Sequence, residues 1–337
     1  MKTNPTQKDD VIEEEYMLKM GIITGFLSKT KDRFHEYNVP LTLDKKFAFM
    51  NEIEGYDGVE IVYPYEVSEP AATRKLLEKH RLNVAAVNVN VKAEPEFLNG
   101  GLTSSDKDVR EKAVRFIKES KDFAAAVGAD KVTCCPLGDG YEFSFQYDYA
   151  RTWKYLVETF GEAGAYKPEM PLFIEYKPSE TRGRCFIDSA AKTLCLLNDM
   201  QCKEVGVTLD FGHSLYGNEH PAEALVLLAE SPYKYYIHIN DNDGKWDWDY
   251  FCGTKHFLEY VEFLYYLKKY DYEDYLTSDT SPTRWDIKGT FEANSRLSNK
   301  IWRRLDQVDG GKIASLMAQG DYLETWRFIE THLLGLK

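Results

Sequence analysis

Residues 170–184 read MPLFIEYKPSETRGR. The apolar residues Leu172, Phe173 and Ile174 lead into a carboxylate, Glu175, and two residues later an ammonium, Lys177, before Pro178 ends the run. Residues i and i+2 of a strand point to the same side, so acid and amine leave the strand together at its C-terminal end. Parallel α/β enzymes keep their chemistry there. A metal-binding carboxylate beside a lysine that can polarise a substrate oxygen makes half of a site for carbohydrate chemistry. A strand-end salt bridge is the competing account, and the rest of the chain has to decide between them.

Outward from this segment, short apolar runs alternate with longer charged stretches of helical period. Eight strand candidates emerge, at residues 19–26, 58–63, 82–91, 131–136, 172–176, 205–209, 235–239 and 275–278. Several are almost continuously apolar, as strands covered on both faces are. Between them lie amphipathic segments such as 108–127, 148–165 and 222–230, the first ending at a glycine suited to a helix C-terminus. Eight alternations of β and α predict a (β/α)8 TIM barrel over residues 17–288 rather than a doubly wound sheet. Residues 1–16 read as a polar tail. The pattern after strand eight is wholly helical and predicts a C-terminal extension over 289–337, placed on the barrel wall or against a neighbouring subunit of a homo-oligomer.

Bulk composition narrows the function classes. The 337 residues are 43% hydrophobic and 29% charged, with a net charge of −13. That is enough apolar content for a large folded domain, and the acidic balance argues against a nucleic-acid partner. No window offers the roughly 20 apolar residues that span a bilayer, and the acidic N-terminus lacks a signal-peptide core. A cytoplasmic protein with no membrane partner is expected. The six cysteines form no CxxC pair, and buried thiols are expected of them.

The polar groups at the later strand ends supply the other half of the site. Strand six ends in LDFGHS, giving Asp210 and His213; strand seven ends in IHINDNDGKWDWDYF, giving His238 and an acidic loop with Asp241, Asp243, Asp247 and Asp249. Strand eight ends in TSDTS, giving Asp279. Neighbouring strands lie about 4.8 Å apart, so Glu175, Asp210, His238 and Asp279 from four consecutive strands can close on one cation. A strand-end Asp also serves as a helix N-cap, and Asp210 and Asp279 both precede helical segments. Mostly oxygen with one nitrogen suits Mn²⁺ first, with Mg²⁺ or Co²⁺ as alternatives. A second ion fits Asp210, His213, Asp247 and Asp249, so one or two ions are expected.

Family resemblances attach to these residues. EYKPSETRG is similar to the fifth-strand motif of the xylose isomerases, and EYKP also matches the L-rhamnose isomerases. FLNGGLTSSDKDVREKAVRF and VGADKVTCCPLGDG resemble the third-to-fourth strand region of xylose isomerase, whereas LDFGHS, HINDNDGKWDWD and DTS resemble L-rhamnose isomerase. The resemblance covers about residues 82–286 and implies an aldose–ketose isomerase acting on a small sugar. By that analogy Glu175, Asp210, His238 and Asp279 hold a structural ion. Asp210, His213, Asp247 and Asp249 hold a catalytic ion that assists the hydroxyl proton while hydride moves between C1 and C2, and Lys177 polarises the carbonyl oxygen.

The departures are specific. Both families carry a catalytic histidine at the end of strand two, where this chain has GVEIVYPYEV with Glu60 and Tyr63. The tryptophan they place after strand four is replaced around Cys135 and Pro136. His35, in KDRFHEYN after strand one, is the candidate for the missing imidazole. The rival on the same barrel is a sugar 3-epimerase, or a lyase of the C-glycoside-cleaving type; an endonuclease IV-like enzyme needs more histidine ligands and a basic groove.

Overall fold

The computed structural model describes residues 18–67, 69–180 and 182–336; the tail expected over residues 1–16 lies outside them. Eight parallel strands form a closed barrel: β1 (Met20–Ile23), β2 (Gly58–Tyr63), β3 (Asn83–Val89), β4 (Val132–Cys134), β5 (Leu172–Glu175), β6 (Val205–Asp210), β7 (Tyr235–Ile239) and β8 (Leu276–Ser278). Each pairs with its sequence neighbour, and β1 closes the ring by pairing with both β2 and β8. The expected (β/α)8 barrel is therefore present with all eight strands at the anticipated places.

Two strands stop early for local reasons. β1 gives way to a 3-10 turn at Thr24–Leu27, whose Thr24 and Leu27 turn into the core. β4 ends at Cys134, because Leu137 N–H closes a turn onto the Cys135 carbonyl and Pro136 has no N–H for the ladder.

The cover helices follow from capping and period. The helix α1 (Leu43–Met50) starts at Thr42 and α2 (Pro70–His80) carries its proline in the first turn. In α3 (Lys107–Val127), Ala113, Val114, Ile117, Phe123, Ala124 and Val127 are buried on one face, and Gly128 ends it at φ +86°. Next, α4 (Tyr149–Ala165) starts at the N-cap Asp148. Its C-terminal carbonyls at Gly164 and Tyr166 accept from the buried Lys121 ammonium at 3.0 and 2.7 Å, a cation at the negative end of a helix.

Then come α5 (Ala190–Met200), the single turn-and-a-half α6 (Phe211–Tyr216), α7 (Pro221–Ala229) and α8 (Phe257–Lys269). The helices beyond β8 are α9 (Ile287–Asp306), α10 (Gly310–Gln319) and α11 (Tyr322–Phe328). A division at residue 288/289 cuts the first turn of α9, which Asp286 caps at Gly289 N–H. This helix covers the barrel: Asn294 donates to Ser278 Oγ, Ser295 to the Gly55 carbonyl, and Asn299 accepts from Leu18 N–H. Among the described residues, α10, α11 and the π-helical turn Ile329–Leu333 therefore lie beyond the repeat.

Inside the barrel, large and small residues alternate between strands. Phe173, Tyr236 and Ala86 make one apolar layer, and a Cβ at Gly206 would meet the Phe173 ring at 2.9 Å. Above it the interior becomes polar. No helix of the described residues is long and apolar enough to cross a membrane.

Candidate metal centre

Register explains how four strands aim at one point. Glu175 pairs with Thr208, two residues before Asp210; Asp210 pairs with His238; His238 pairs with Thr277, two residues before Asp279. Steps of two keep every side chain on the inward face. One ligand-capable atom from each of Glu175, Asp210, His238 and Asp279 lies within 4.8 Å of the other three.

Tautomer and charge make this cluster suited to a cation. His238 Nε2 lies 3.0 Å from Glu60 Oε2, with both side chains fully buried. A proton on Nε2 donated to Glu60 leaves the Nδ1 lone pair facing Glu175 Oε1 at 3.4 Å and Asp279 Oδ2 at 3.6 Å, and Nδ1 has no hydrogen-bond partner. A lone pair facing two carboxylates needs a cation or a proton among them. Burial opposes charge on the ring, but Glu60 and Glu175 outweigh it and hold the His238 pKa well above its ordinary value. The donor set of three carboxylates and one imidazole fits a divalent ion, and these residues would hold it.

Asp210 does two jobs. Its Oδ1 accepts from His213 N–H at 2.8 Å, capping α6, and its carboxylate also accepts from Asn240 Nδ2. Burial, opposed by His213 but reinforced by Asp279 and Asp247, pushes its pKa up to about 7. Asp279 is no cap, since α9 starts later at Asp286.

The second expected set shares the pocket but is less tightly drawn together. His213 Nδ1 faces the Tyr176 carbonyl at 2.9 Å, which turns Nε2 toward Asp247 Oδ2 at 3.2 Å. That same Oδ2 lies 2.6 Å from Lys177 Nζ, while Asp247 Oδ1 is buried without a partner. Lys177 also pairs with Glu180 at 2.6 Å; burial opposes its charge, but Asp247 and Glu180 keep its pKa well above the usual lysine value. Asp249 sits in the same lining, and burial together with Asp247 and Asp279 raises its pKa well above the ordinary aspartate value.

Glu175, Lys177, His213, Asp247, Asp249 and Asp279 line a cavity of about 230 Å³ at the C-terminal mouth. Ile23, Phe26, Val62, Cys135 and Leu137 make its apolar side, and Asn90 and Lys92 also line it.

The structure corrects two sequence expectations, for His35 and for the cysteines, and adds detail on the acidic loop and on β2. His35 is not brought to the cluster: it rides on the hairpin Thr30–Lys31/Glu36–Tyr37 with its side chain 71% exposed, and its backbone N–H is tied to Asp32. The loop acids Asp241 and Asp243 are structural. Asp241 accepts from Lys255 and His256 N–H and from His256 Nδ1, and Asp243 from Lys245 N–H and the Trp248 indole. Cys195 is exposed, whereas the other five thiols are buried. Glu60 is the residue that the sequence reading passed over. Its signal was an acid inside the apolar run GVEIVY, where a buried charge needs partners; it finds Thr133 at 2.6 Å, Asn88 at 3.0 Å and His238.

Comparison with known proteins agrees with this fold. A xylose isomerase from Thermus caldophilus is 28% identical over 145 residues, 42% of this chain and 38% of that protein, so the match spans well under half of the relative. Among solved structures, a D-tagatose 3-epimerase-like protein superimposes with a TM-score of 0.66 at 18% identity, covering 85% of this chain and 98% of the other. An L-ribulose 3-epimerase gives the same TM-score and identity, with 86% and 96% covered. At such identities the structures speak for the fold alone. The sequence model of the xylose isomerase-like TIM barrel matches residues 47–299, and with three-quarters of its length so matched the chain belongs to that family.

Proposed function

We propose that this chain is a divalent-metal-dependent aldose–ketose isomerase acting on a small sugar. One observation carries the reading: the Lys177 ammonium and the acids Asp247 and Asp249 line the same small cavity as Glu175 and Asp279 of the metal-suited cluster. An epimerase working by proton abstraction has no need of that ammonium. Ions held by Glu175, Asp210, His238 and Asp279, and by Asp210, His213, Asp247 and Asp249, manganese first with magnesium or cobalt as alternatives, would supply Lewis-acid stabilisation of charge on two neighbouring sugar oxygens.

The chain's own groups do the rest. Lys177, held protonated between Asp247 and Glu180, donates to the carbonyl oxygen of the substrate. Asp247 Oδ1, buried and unpartnered, accepts the proton of the neighbouring hydroxyl and returns it to the other oxygen as hydride passes between C1 and C2. Ile23, Phe26, Val62, Cys135 and Leu137 supply apolar lining that limits the water around that transfer. The test is a screen of aldoses and ketoses with added Mn²⁺ in D₂O. Hydride transfer leaves the product carbon essentially free of solvent deuterium. Stoichiometric deuterium at C1, C2 or C3 overturns this reading in favour of proton abstraction, as in an enediol or epimerase route.

A further inference from the structure

A second, larger cavity of about 550 Å³ adjoins the reaction cavity, and Asp249 lines both. One segment contributes to both linings. In Asp247–Trp248–Asp249–Tyr250 the two acids line the reaction cavity, while the rings of Trp248 and Tyr250 line the outer one. Asp249 at φ +50° makes the bend, and it is pinned by Ser281 N–H on its carbonyl at 2.9 Å and by the paired Asp241 and Tyr250 backbones. The rim that the two cavities share is therefore held in place, and it does not depend on a free loop.

The outer cavity offers ring faces. Tyr37 and Trp285 join Trp248 and Tyr250 in its lining, with Trp285 66% and Trp248 47% exposed. Several of its polar groups are already engaged. Asp32 accepts from Phe34 and His35 N–H and from Tyr37 O–H, and Thr254 donates to the Phe251 carbonyl. Two tryptophans left exposed around a concavity next to a reaction site mark a place where a ligand covers them.

We infer that the substrate carries a second six-membered ring, linked to the reacting sugar away from C1 and C2, whose flat face stacks on Trp248 and Trp285 in this outer cavity. The inference rests on the isomerase reading, which requires C1 to be free. It therefore selects a reducing disaccharide or a sugar bearing an aryl group on a remote hydroxyl; both present the same flat, weakly polar face. The reaction cavity alone, at about 230 Å³, has room for one sugar ring.

The experiment uses the full-length, Mn²⁺-loaded protein and compares a parent aldose with its 4-O-glycosyl and 4-O-benzyl derivatives. The ring-bearing sugars should show at least tenfold higher kcat/KM than the parent. Trp285→Ala should remove that advantage while leaving turnover of the parent unchanged; whichever derivative gains more identifies the ring as sugar or aryl. Equal or lower kcat/KM for both derivatives, or an advantage that survives Trp285→Ala and Trp248→Tyr, overturns the inference and leaves the isomerase reading intact. Should no sugar turn over, the isomerase reading falls, and quenching of tryptophan fluorescence decides the subsite separately. Tighter binding of the ring-bearing sugars in the wild type but not in Trp285→Ala supports it, and identical titrations overturn it. Sedimentation of the two proteins covers the remaining occupant: a dimer that Trp285→Ala dissociates makes the cavity an interface between copies and overturns the substrate proposal.

Discussion

Replacing Glu60 by Gln tests whether a residue outside the ligand set orients the centre. The substitution keeps the volume of a fully buried side chain and removes its charge. Three donors converge on the carboxylate: Thr133 Oγ1 and Asn88 Nδ2 on Oε1, and His238 Nε2 on Oε2. An amide has one oxygen for these two positions. Placing its nitrogen at the Oε1 position opposes two donors, so the less costly arrangement turns the NH₂ toward His238. The imidazole then answers by moving its proton to Nδ1, the atom that faces Glu175 and Asp279. That proton occupies the lone pair a metal would use. Loss of such an orienting partner typically costs 10–100-fold in metal affinity, or about 1.4–2.7 kcal/mol. Titration calorimetry with Mn²⁺ on wild type and Glu60→Gln reads it directly, with circular dichroism confirming that the variant folds. A dissociation constant within twofold of wild type in a folded variant would mean that Glu60 does not set the ring's tautomer.

Three further outcomes follow from the same centre. Lys177→Met should lower turnover about 10²–10³-fold, the loss expected for one donor to a developing oxyanion, with bound Mn²⁺ unchanged by elemental analysis; retained turnover removes the lysine from the chemistry. Mn²⁺ affinity should fall as pH drops, and fall more steeply below about 7, because burial raises the Asp210 pKa to that value and its proton must then be displaced along with that of His238. The sign is that of a raised acid: the metal-free fold keeps the proton through the window between the ordinary aspartate value and about 7, so binding releases protons there, and calorimetry in buffers of different ionisation enthalpy counts them. Finally, Mn²⁺ at a hundred times its dissociation constant adds about 2.7 kcal/mol, which for 337 residues corresponds to about 4 °C in Tm. A chelator should reverse that shift, and a Tm indifferent to metal and chelator argues against a site in the native state.

The fold was legible because its information is local. Each apolar run is bounded by a turn signal, and the long amphipathic segments carry their own ends, such as Asp106 before α3 and Gly128 after it. Errors fell where tertiary packing overrides local pattern. The 3-10 turn after β1 is as apolar as the strand, so nothing in ITGFL separates them. α9 reads like any other helix, and only Asn294, Ser295 and Asn299 reaching the barrel show that it belongs to the repeat.

The centre was legible for a different reason, and its limits follow from that reason. Glu175, Asp210, His238 and Asp279 each lie at or within one residue of the end of a recognisable strand, and the inward parity is the same for all four once the two-residue steps in register are allowed for. A residue in a loop has no such parity. His35 was assigned by residue type alone, and a hairpin tied together by Asp32 carries it into solvent. Glu60 failed in the opposite direction: it has the right parity on β2 but lies below the strand end, where a sequence pattern marks an apolar layer. Its role depends on His238, 178 residues away and across the barrel. A buried acid in an apolar strand should therefore have been read as a demand for a partner; in a closed barrel that partner can come from any strand, and the polar ends of the others were already the best place to look for it.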